Sequence, residues 1–397
     1  MDAASTTKVI SPANESGLIL RELSSLEISR TISLARILLI VGLVFLHYLK
    51  FPNSSVWAYT GLDLNQHSVA TFVNSAIYFF FLSAVPLLSM ISGWLFFSFG
   101  NNDPMKTVFT RIRGRFTSLY LPLVFWNGVC LVVLYAIYKT NPYYPLLSEL
   151  NINFNVAGWK DYINGIFALT RRPISFQFWF VRDLFVTALV SPLFLLVSRR
   201  APWLGAAALG TAWICGWSMV IFLRPDVPFF FYLGILVRLK QLPLIISRET
   251  TIAVAAFFVA IVCVRALAPF VVDFSDNIMP TWLRVSTALM RFVGVIACWG
   301  MLQHMAQTPR GISIGKYGGV AFFLHSVHWP LLAFLKIWIW PLMPAQTDLW
   351  MLVHDLTCVT LTVMIGVGAG VLLNRYVPAA FALMNGGRLL KQTKGYE

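Results

Sequence analysis

Charged side chains are scarce in this sequence. Only 12% of its 397 residues are Asp, Glu, Lys or Arg, whereas 58% are hydrophobic and the mean hydropathy is +0.73. A water-soluble domain typically carries about twice this share of charge, so the composition excludes a soluble globular protein. At roughly 20 apolar residues per crossing, the chain has room for about ten membrane-spanning helices.

The sequence also offers little material for disulfides or metal sites. All five cysteines lie within apolar stretches, and an odd number without paired spacing argues against a disulfide framework. His325 and His328 lie three residues apart, but no third ligand of a suitable type is near them in the sequence. We therefore expect no bound metal.

Acidic residues are fewer than basic ones, which gives a net charge of +14. Nucleic-acid binding would concentrate this charge on a basic helix or arm, but the basic residues here form short clusters between apolar runs. That pattern is typical of cytoplasmic loops that lie near anionic lipid headgroups. The predicted partners therefore include membrane lipids and exclude nucleic acid.

Ten apolar segments predict an all-α, polytopic membrane protein. They lie at about 31–50, 72–99, 117–138, 177–197, 203–222, 227–239, 250–268, 282–303, 318–341 and 349–373. The sixth is short for a straight span, so we expect it to be tilted, broken or re-entrant.

Charge asymmetry predicts the orientation of these spans. With both termini in the cytoplasm, most of the 30 Lys and Arg lie on the cytoplasmic side, as the positive-inside rule requires. The first thirty residues are polar and contain acids, so the first span is expected to act as an uncleaved insertion signal. The predicted organisation is a cytoplasmic tail (1–30), a single transmembrane domain (31–373) and a second cytoplasmic tail (374–397).

The first span contains an arginine and a histidine eleven residues apart. On a helix, Arg36 and His47 differ by only about 20° in direction and lie about 16 Å apart along the axis. A cation within a span is usually functional or paired, although Arg36 snorkelling to the headgroups and His47 forming an interfacial hydrogen bond are the plainer alternatives. Together, the pair suits a site where the imidazole accepts a proton from a hydroxyl and the arginine holds an anionic ligand.

A basic cluster follows the second span. Lys106 precedes Arg111, Arg113 and Arg115, which either bind phosphate or simply keep this loop in the cytoplasm.

The longest predicted connection, residues 139–176, faces outward and is rich in aromatic and polar residues. A connection of that length is either a binding surface or a structured connector.

Polar residues also interrupt the fourth and ninth spans. The fourth begins with Trp179, Arg182 and Asp183, and Asp183 either orients His47 or forms a structural pair between helices. The ninth contains His328 before Trp329-Pro330, and we expect His328 to form hydrogen bonds near the groove of Arg36 and His47.

These motifs resemble those of the membrane-bound acyltransferase-3 family, the bacterial O-acyltransferases that modify extracytoplasmic glycans. The resemblance covers about residues 28 to 375. Its motifs, in order, are Arg36 and His47, Val85-Pro86 with Ile91-Ser92-Gly93, the basic stretch that runs into Leu121-Pro122 and Phe125-Trp126-Asn127, Trp179 with Arg182-Asp183, and Phe322-Phe323 with His328-Trp329-Pro330.

Two departures from the family pattern matter. The basic motif of the family is often two arginines with two residues between them, whereas Arg111, Arg113 and Arg115 alternate. Which of them would contact a phosphate therefore stays open. His325 stands where relatives commonly have tyrosine, so no role is carried over to it.

The resemblance implies transfer of an acyl group across the membrane. Acetyl-CoA would bind from the cytoplasm, with its phosphates near Arg111, Arg113 and Arg115 and its pantetheine arm passing Arg36. His47 would either deprotonate a sugar hydroxyl or accept the acyl group itself. The acceptor would be a lipid-linked oligosaccharide or a nascent polysaccharide at the bacterial cytoplasmic (inner) membrane. The aromatic residues of 139–176 would hold its sugar rings.

Two other classes compete with this interpretation. A transporter or flippase of a lipid-linked glycan would explain the embedded charges without an enzyme, but such proteins often contain paired half-repeats, and the sequence shows no convincing repeat. A membrane-bound acyltransferase of the other common type, acting on lipids or proteins, would also use an intramembrane histidine. It would not place that histidine eleven residues after an arginine in the first span.

Overall fold

The helices of the protein follow the apolar segments of its sequence. This computed structural model describes residues 23–52, 54–99, 103–274 and 279–390, and the regular elements in these ranges are all helical. The α-helices are α1 Ser25–Leu46, α2 Ser68–Phe81, α3 Ala84–Phe96, α4 Pro104–Arg115, α5 Leu121–Thr140, α6 Trp159–Phe167, α7 Trp179–Arg200, α8 Pro202–Cys215, α9 Asp226–Arg238, α10 Arg248–Ala266, α11 Thr281–Met305, α12 Pro309–Gly315, α13 Ala321–Ile339, α14 Asp348–Tyr376 and α15 Pro378–Met384.

Eight helical segments of the described chain are long and apolar enough to cross a membrane. They are Ser25–Leu46, Ser68–Phe96, Pro104–Thr140, Phe176–Arg200, Arg248–Phe270, Thr281–Met305, Ala321–Leu342 and Asp348–Tyr376. This confirms the prediction of an all-α polytopic membrane protein.

At the fifth and sixth predicted spans, the helices of the structure are shorter than the eight membrane-length segments. α8 has 14 residues and α9 has 13. A helix of the length of α9 extends only about 20 Å, whereas the hydrocarbon core of a bilayer is about 30 Å thick. Every residue of α9 from Asp226 to Val237 is buried by protein, so this segment is a helix of the bundle interior that does not need to match the bilayer.

Two glycines allow α9 to pack closely against α3. A Cβ atom at Gly93 would collide with the backbone carbonyl of Phe231, and one at Gly234 would collide with that of Met90. Small residues at a helix crossing permit such close backbone contact within membranes. The Gly93 and Gly234 crossing therefore fixes α9 beside the second predicted span.

That second span is divided between α2 and α3. Pro86 has no N–H to donate to the carbonyl of Leu82, four residues earlier, so the helix is interrupted there. Arg291 of α11 donates from Nε to this carbonyl at 3.3 Å and also forms an ion pair with the buried Asp226 of α9. A neighbouring helix thus satisfies the group that the proline leaves free.

α1 lies at the centre of the bundle and packs against α2, α3, α11, α12, α13 and α14. A capping box begins it, in which Ser24 and Glu27 each accept a hydrogen bond from the backbone N–H of the other. The helix ends at Leu46, with His47 as the C-terminal cap residue. The two polar residues of the first span are therefore held inside the protein.

The basic cluster and the third span form one continuous helical segment. α4 joins α5 through a single π-helical turn, Phe116–Tyr120, just before Pro122. Pro122 has no N–H to continue the regular hydrogen-bond ladder, and the π turn lies directly before it. The segment between α5 and α7 is folded against α5 and α13, so residues 139–176 are a structured connector in this region.

Candidate functional site

His47 contacts a second histidine at the end of α1. Its Nδ1 atom lies 2.7 Å from Nε2 of His328 in α13, and the two rings are nearly parallel. The ring of Phe176, at the end of the 139–176 connector, meets the His47 ring edge-on at 4.9 Å between centroids. Residues from three distant parts of the sequence thus surround this imidazole.

A kink in α13 places His328 at this position. Trp329 has non-helical backbone angles, because the ring of Pro330 disfavours the helical conformation in the residue before it. The buried side chain of Gln177 supports the kink: its Nε2 donates to the carbonyls of Ser326 at 3.3 Å and of Trp329 at 3.0 Å. The motif that disturbs the helix therefore also orients the histidine that precedes it.

The hydrogen bonds of His328 determine the tautomers of both rings. Nδ1 of His328 lies 2.7 Å from the carbonyl oxygen of His325, which can only accept a hydrogen bond. The Nδ1 atom of neutral His328 therefore carries the proton, and its Nε2 accepts from Nδ1–H of His47. Consequently, the Nε2 atom of neutral His47 holds a free lone pair, and no described residue forms a hydrogen bond with it. This atom is placed to act as a base or a nucleophile.

A second polar group holds the chain just after His47. The buried Lys336 donates from Nζ to the carbonyl of Tyr48 at 2.9 Å. The Tyr48 hydroxyl donates to Nδ1 of His354 at 2.6 Å, and Nε2 of His354 lies 3.2 Å from the carbonyl of Lys336. These contacts join the end of α1 to α13 and α14, and so restrict movement of His47.

Arg36 lines a cavity together with other cations. The cavity has a volume of about 130 Å³ and includes Arg36, Arg115, Arg388 and His325 among its lining residues. None of the described residues that line it is an Asp or Glu. Because His325 also contacts His328, the cavity extends from the arginines toward the histidine site. Such a positively charged cavity suits an anionic ligand.

The three arginines of the basic cluster have different surroundings. Arg111 donates to the carbonyls of Leu95, Phe96 and Ser98, at the end of α3, and also borders a surface depression that it shares with Arg115. Arg113 is exposed. Only Arg115 reaches the cavity of Arg36, where its Nη2 lies 3.2 Å from Oγ of Ser92.

The predicted pair in the fourth span lies in a separate polar cluster. Nη1 of Arg182 is 2.8 Å from Oδ1 of Asp183, and Arg182 also donates to the carbonyls of Ala168 and Leu169. Asp183 accepts from the backbone N–H groups of Leu223 and Arg224 at 3.1 and 2.8 Å. The described contacts of Asp183 are therefore those of a structural pair, and His328 contacts His47 in its place.

Trp179 contributes to the same cluster, with the guanidinium of Arg224 4.9 Å from the centre of its ring. The pair and its neighbours connect the end of the 139–176 connector to the loop before α9. Of the predicted site residues, the structure thus brings together His47 with His328, Arg36 with Arg115, and Trp179 with Arg182 and Asp183.

Four residues of these sites, Lys336, Arg388, His354 and Gln177, are not among the candidates that the sequence analysis predicts. A signal existed for Lys336 and Gln177, because each is a polar residue within a strongly apolar run. Nothing local in the sequence distinguishes Arg388.

The fold and the site define a multi-pass membrane protein with a histidine site inside its helical bundle. The chain belongs to the acyltransferase-3 family, whose acyltransferase domain matches residues 30–371. It is 31% identical over 316 residues to the succinoglycan biosynthesis protein ExoH of Rhizobium meliloti (strain 1021). The aligned region covers 78% of this chain and 80% of the relative. No solved structure matches the chain. The resemblance seen in the sequence is thus confirmed.

Proposed function

We propose that this protein is an O-acyltransferase of the bacterial inner membrane that moves an acyl group from cytoplasmic acyl-CoA to a sugar hydroxyl. The proposed acyl group is acetyl. The acceptor is a lipid-linked or nascent polysaccharide outside the cytoplasm. The observation that carries this proposal is the free Nε2 of His47, fixed by His328, in a chain of an acyltransferase family. The polysaccharide acceptor is proposed from the name of the relative, which refers to succinoglycan biosynthesis.

The proposed donor lies along α1. Its phosphates bind at the end of the cavity that contains Arg36 and Arg115, and its pantetheine arm extends toward His47. Arg36 and His47 lie about 16 Å apart along the helix axis, so an extended arm is needed to bring the thioester to the imidazole. The cytoplasmic location of the Arg36 end follows from the charge asymmetry of the loops.

Two reaction routes use the same atom of His47. In the first, Nε2 takes the proton of the sugar hydroxyl while the oxygen attacks the thioester carbonyl; the carbon–sulfur bond breaks, and the imidazolium returns the proton to the thiolate of CoA. In the second, Nε2 attacks the carbonyl and displaces the thiolate; the sugar oxygen then attacks the acyl-imidazole, the carbon–nitrogen bond breaks, and the hydroxyl proton passes to the thiolate of CoA. In both, the neutral His328 accepts a hydrogen bond from Nδ1–H and stabilises positive charge on His47.

The acceptor is proposed to approach from the side of the 139–176 connector. The connector ends at Phe176, which touches His47, and it exposes Tyr143 and Trp159. Aromatic rings such as these offer apolar faces on which sugar rings can pack.

The test is acyl transfer by the purified full-length protein, supplied with labelled acetyl-CoA and the lipid-linked glycan of its host. We expect His47→Ala to lower the transfer rate by about 10² to 10⁴-fold, which is the contribution typical of a general base. Its thermal unfolding should be unchanged. Full acylation by this variant would exclude the assigned role of His47. Movement of the glycan across vesicle membranes without acylation would instead favour a transporter or flippase.

Mass spectrometry identifies both the product and the route. Polysaccharide from cells with and without the protein is expected to differ by the transferred acyl group, which also shows whether that group is acetyl. Rapidly quenched enzyme carries an acyl group on His47 if the second route operates, and carries none if His47 is a general base.

A further inference from the structure

The segment after α14 folds back onto the bundle. Trp126 of α5 donates from Nε1 to the carbonyl of Met384 at 3.0 Å, and Asn385 donates to the carbonyl of Gly319 at 2.8 Å. The backbone N–H of Leu390 donates to Oδ1 of Asn374 at 3.1 Å. The first part of the predicted C-terminal tail, as far as residue 390, is therefore attached to three different elements.

A turn in this segment brings Arg388 into the cavity of Arg36 and Arg115. Gly386 and Gly387 have φ angles of +66° and +79°, a backbone region that favours glycine. A Cβ atom at Gly386 would also collide with the carbonyl of Ser118. The guanidinium of Arg388 then lies 5.1 Å from the centre of the Phe322 ring and lines the cavity.

The three guanidinium groups of this cavity repel one another. Burial, followed by the positive charges of Arg36 and Arg115, lowers the pKa of Arg388 to about 9, so the group is still charged at neutral pH. Among the described residues, no carboxylate lines the cavity to offset this repulsion. A bound anion would offset it, and multiply charged phosphates pair well with several arginines.

A buried histidine in the same cavity also lacks a partner. The side chain of His325 is 2% exposed, and neither ring nitrogen forms a hydrogen bond with the described residues. A buried polar group without a partner is costly and rare, so His325 has hydrogen-bonding capacity for the polar atoms of water or of a ligand in this cavity.

We propose that Arg388 joins Arg36 and Arg115 in a phosphate-binding site for the acyl donor, and that the donor then passes His325 on its way to His47. This inference rests on the proposed function, and it assigns a donor-binding role to the folded C-terminal segment. The N–H of neutral His325 can donate to an amide carbonyl of the pantetheine arm, and its unprotonated ring nitrogen can accept from an N–H or O–H group.

The position of the cavity favours the phosphates of CoA as the bound anion over a carboxylate carried by the acyl group. If the thioester lies at His47, a carboxylate at the far end of a short dicarboxylic acyl chain stays near His47. Arg36 lies about 16 Å away along α1, which such a chain cannot span. The phosphates of CoA are at the opposite end of the arm and can reach this distance.

Binding of CoA by the purified full-length protein tests the proposal. We expect Arg388→Ala to weaken CoA binding by about tenfold to a hundredfold, the loss typical of one charge-assisted contact. Arg388→Lys should recover part of this affinity, because lysine retains the charge but cannot form the bidentate hydrogen bonds of a guanidinium. Arg375→Ala is the matched control, since Arg375 is an exposed cation near the same segment, and it should bind CoA like the wild type.

Pantetheine, which has no phosphate, identifies the part of the donor that Arg388 contacts. Arg388→Ala and the wild type should bind pantetheine equally, whereas His325→Phe should weaken both pantetheine and CoA. Equal CoA affinity of the wild type and Arg388→Ala would overturn the phosphate assignment. An equal loss for pantetheine and CoA in Arg388→Ala would also overturn it, because the arginine would then act on the fold of the cavity.

The wild-type protein supplies a test that does not depend on folding of a variant. CoA should protect Arg388 from modification by phenylglyoxal, as measured by peptide mass spectrometry, and pantetheine should not. If CoA does not bind the wild type at all, the proposed function fails. If CoA binds without protecting Arg388, only the inference fails.

Lipid headgroups also carry phosphates, so the lipid composition is varied in the same experiment. Protection by CoA in phosphatidylcholine nanodiscs supports the donor site. Protection by phosphatidylglycerol alone, with none by CoA, would reassign Arg388 to a lipid site and overturn the proposal.

Discussion

Nδ1 of His47 and Nε2 of His328 lie 2.7 Å apart, and the proton between them belongs to His47. This follows because Nδ1 of His328 must donate to the carbonyl of His325. The contact therefore leaves Nε2 of His47 as the reactive nitrogen. A histidine positioned in this way resembles the general arrangement in which a third group orients a catalytic base.

We predict that His328→Ala lowers kcat for acyl transfer by about 100-fold, the order expected when a reacting group loses its alignment. The KM for acyl-CoA should change little, because His328 does not line the arginine cavity. His328→Gln should recover activity, since its side-chain carbonyl can accept from Nδ1–H of His47. Equal kcat values for the alanine and glutamine variants would show that the acceptor is not needed.

The kink of α13 should depend on Gln177. We expect Gln177→Leu to reduce the free energy of unfolding by about 1–3 kcal/mol, because two buried carbonyls lose their donor, and to lower kcat through displacement of His328. Thermal unfolding and initial rates measure the two effects. Gln241→Leu, at an exposed position, is the control and should change neither quantity. If Gln177→Leu keeps the kcat of the wild type, the contacts of Gln177 with the kink are not needed for catalysis.

The pair of Arg182 and Asp183 should matter for folding. Asp183→Asn leaves the Arg182 guanidinium buried without its charge partner, which costs about 3–5 kcal/mol, so we expect less folded protein and a lower unfolding temperature. Activity per folded molecule should stay close to that of the wild type, and Arg182→Met combined with Asp183→Asn should recover part of the stability. Normal stability with lost turnover would instead place Asp183 in the catalytic site.

The sequence was informative where a single helix determines the geometry. Arg36 lies on α1 and His47 is its C-terminal cap residue, so their spacing predicts that they face the same side, and strong apolar runs predict the long helices. The kink before Pro330 is also local. For these features, the covalent order of residues carries most of the necessary information.

Contacts between distant segments could not be predicted in this way. Whether Arg111 or Arg115 reaches the cavity depends on how α4 lies against the end of α3. The position of Arg388 in the cavity depends on how the C-terminal segment folds back onto the bundle. The partner of Asp183 depends on the loop before α9. Each of these is a tertiary contact, for which a single sequence offers no direct signal.

The burial of α9 has a consequence for how the protein is assembled in the membrane. This short helix cannot match the bilayer by itself, and its Asp226 pairs with Arg291 of α11, which is synthesised later. The neighbouring Arg224 can meet the carboxylate earlier. α3 and Arg224 both precede α11 in the chain, so these two partners of α9 are synthesised before the second arginine that pairs with Asp226.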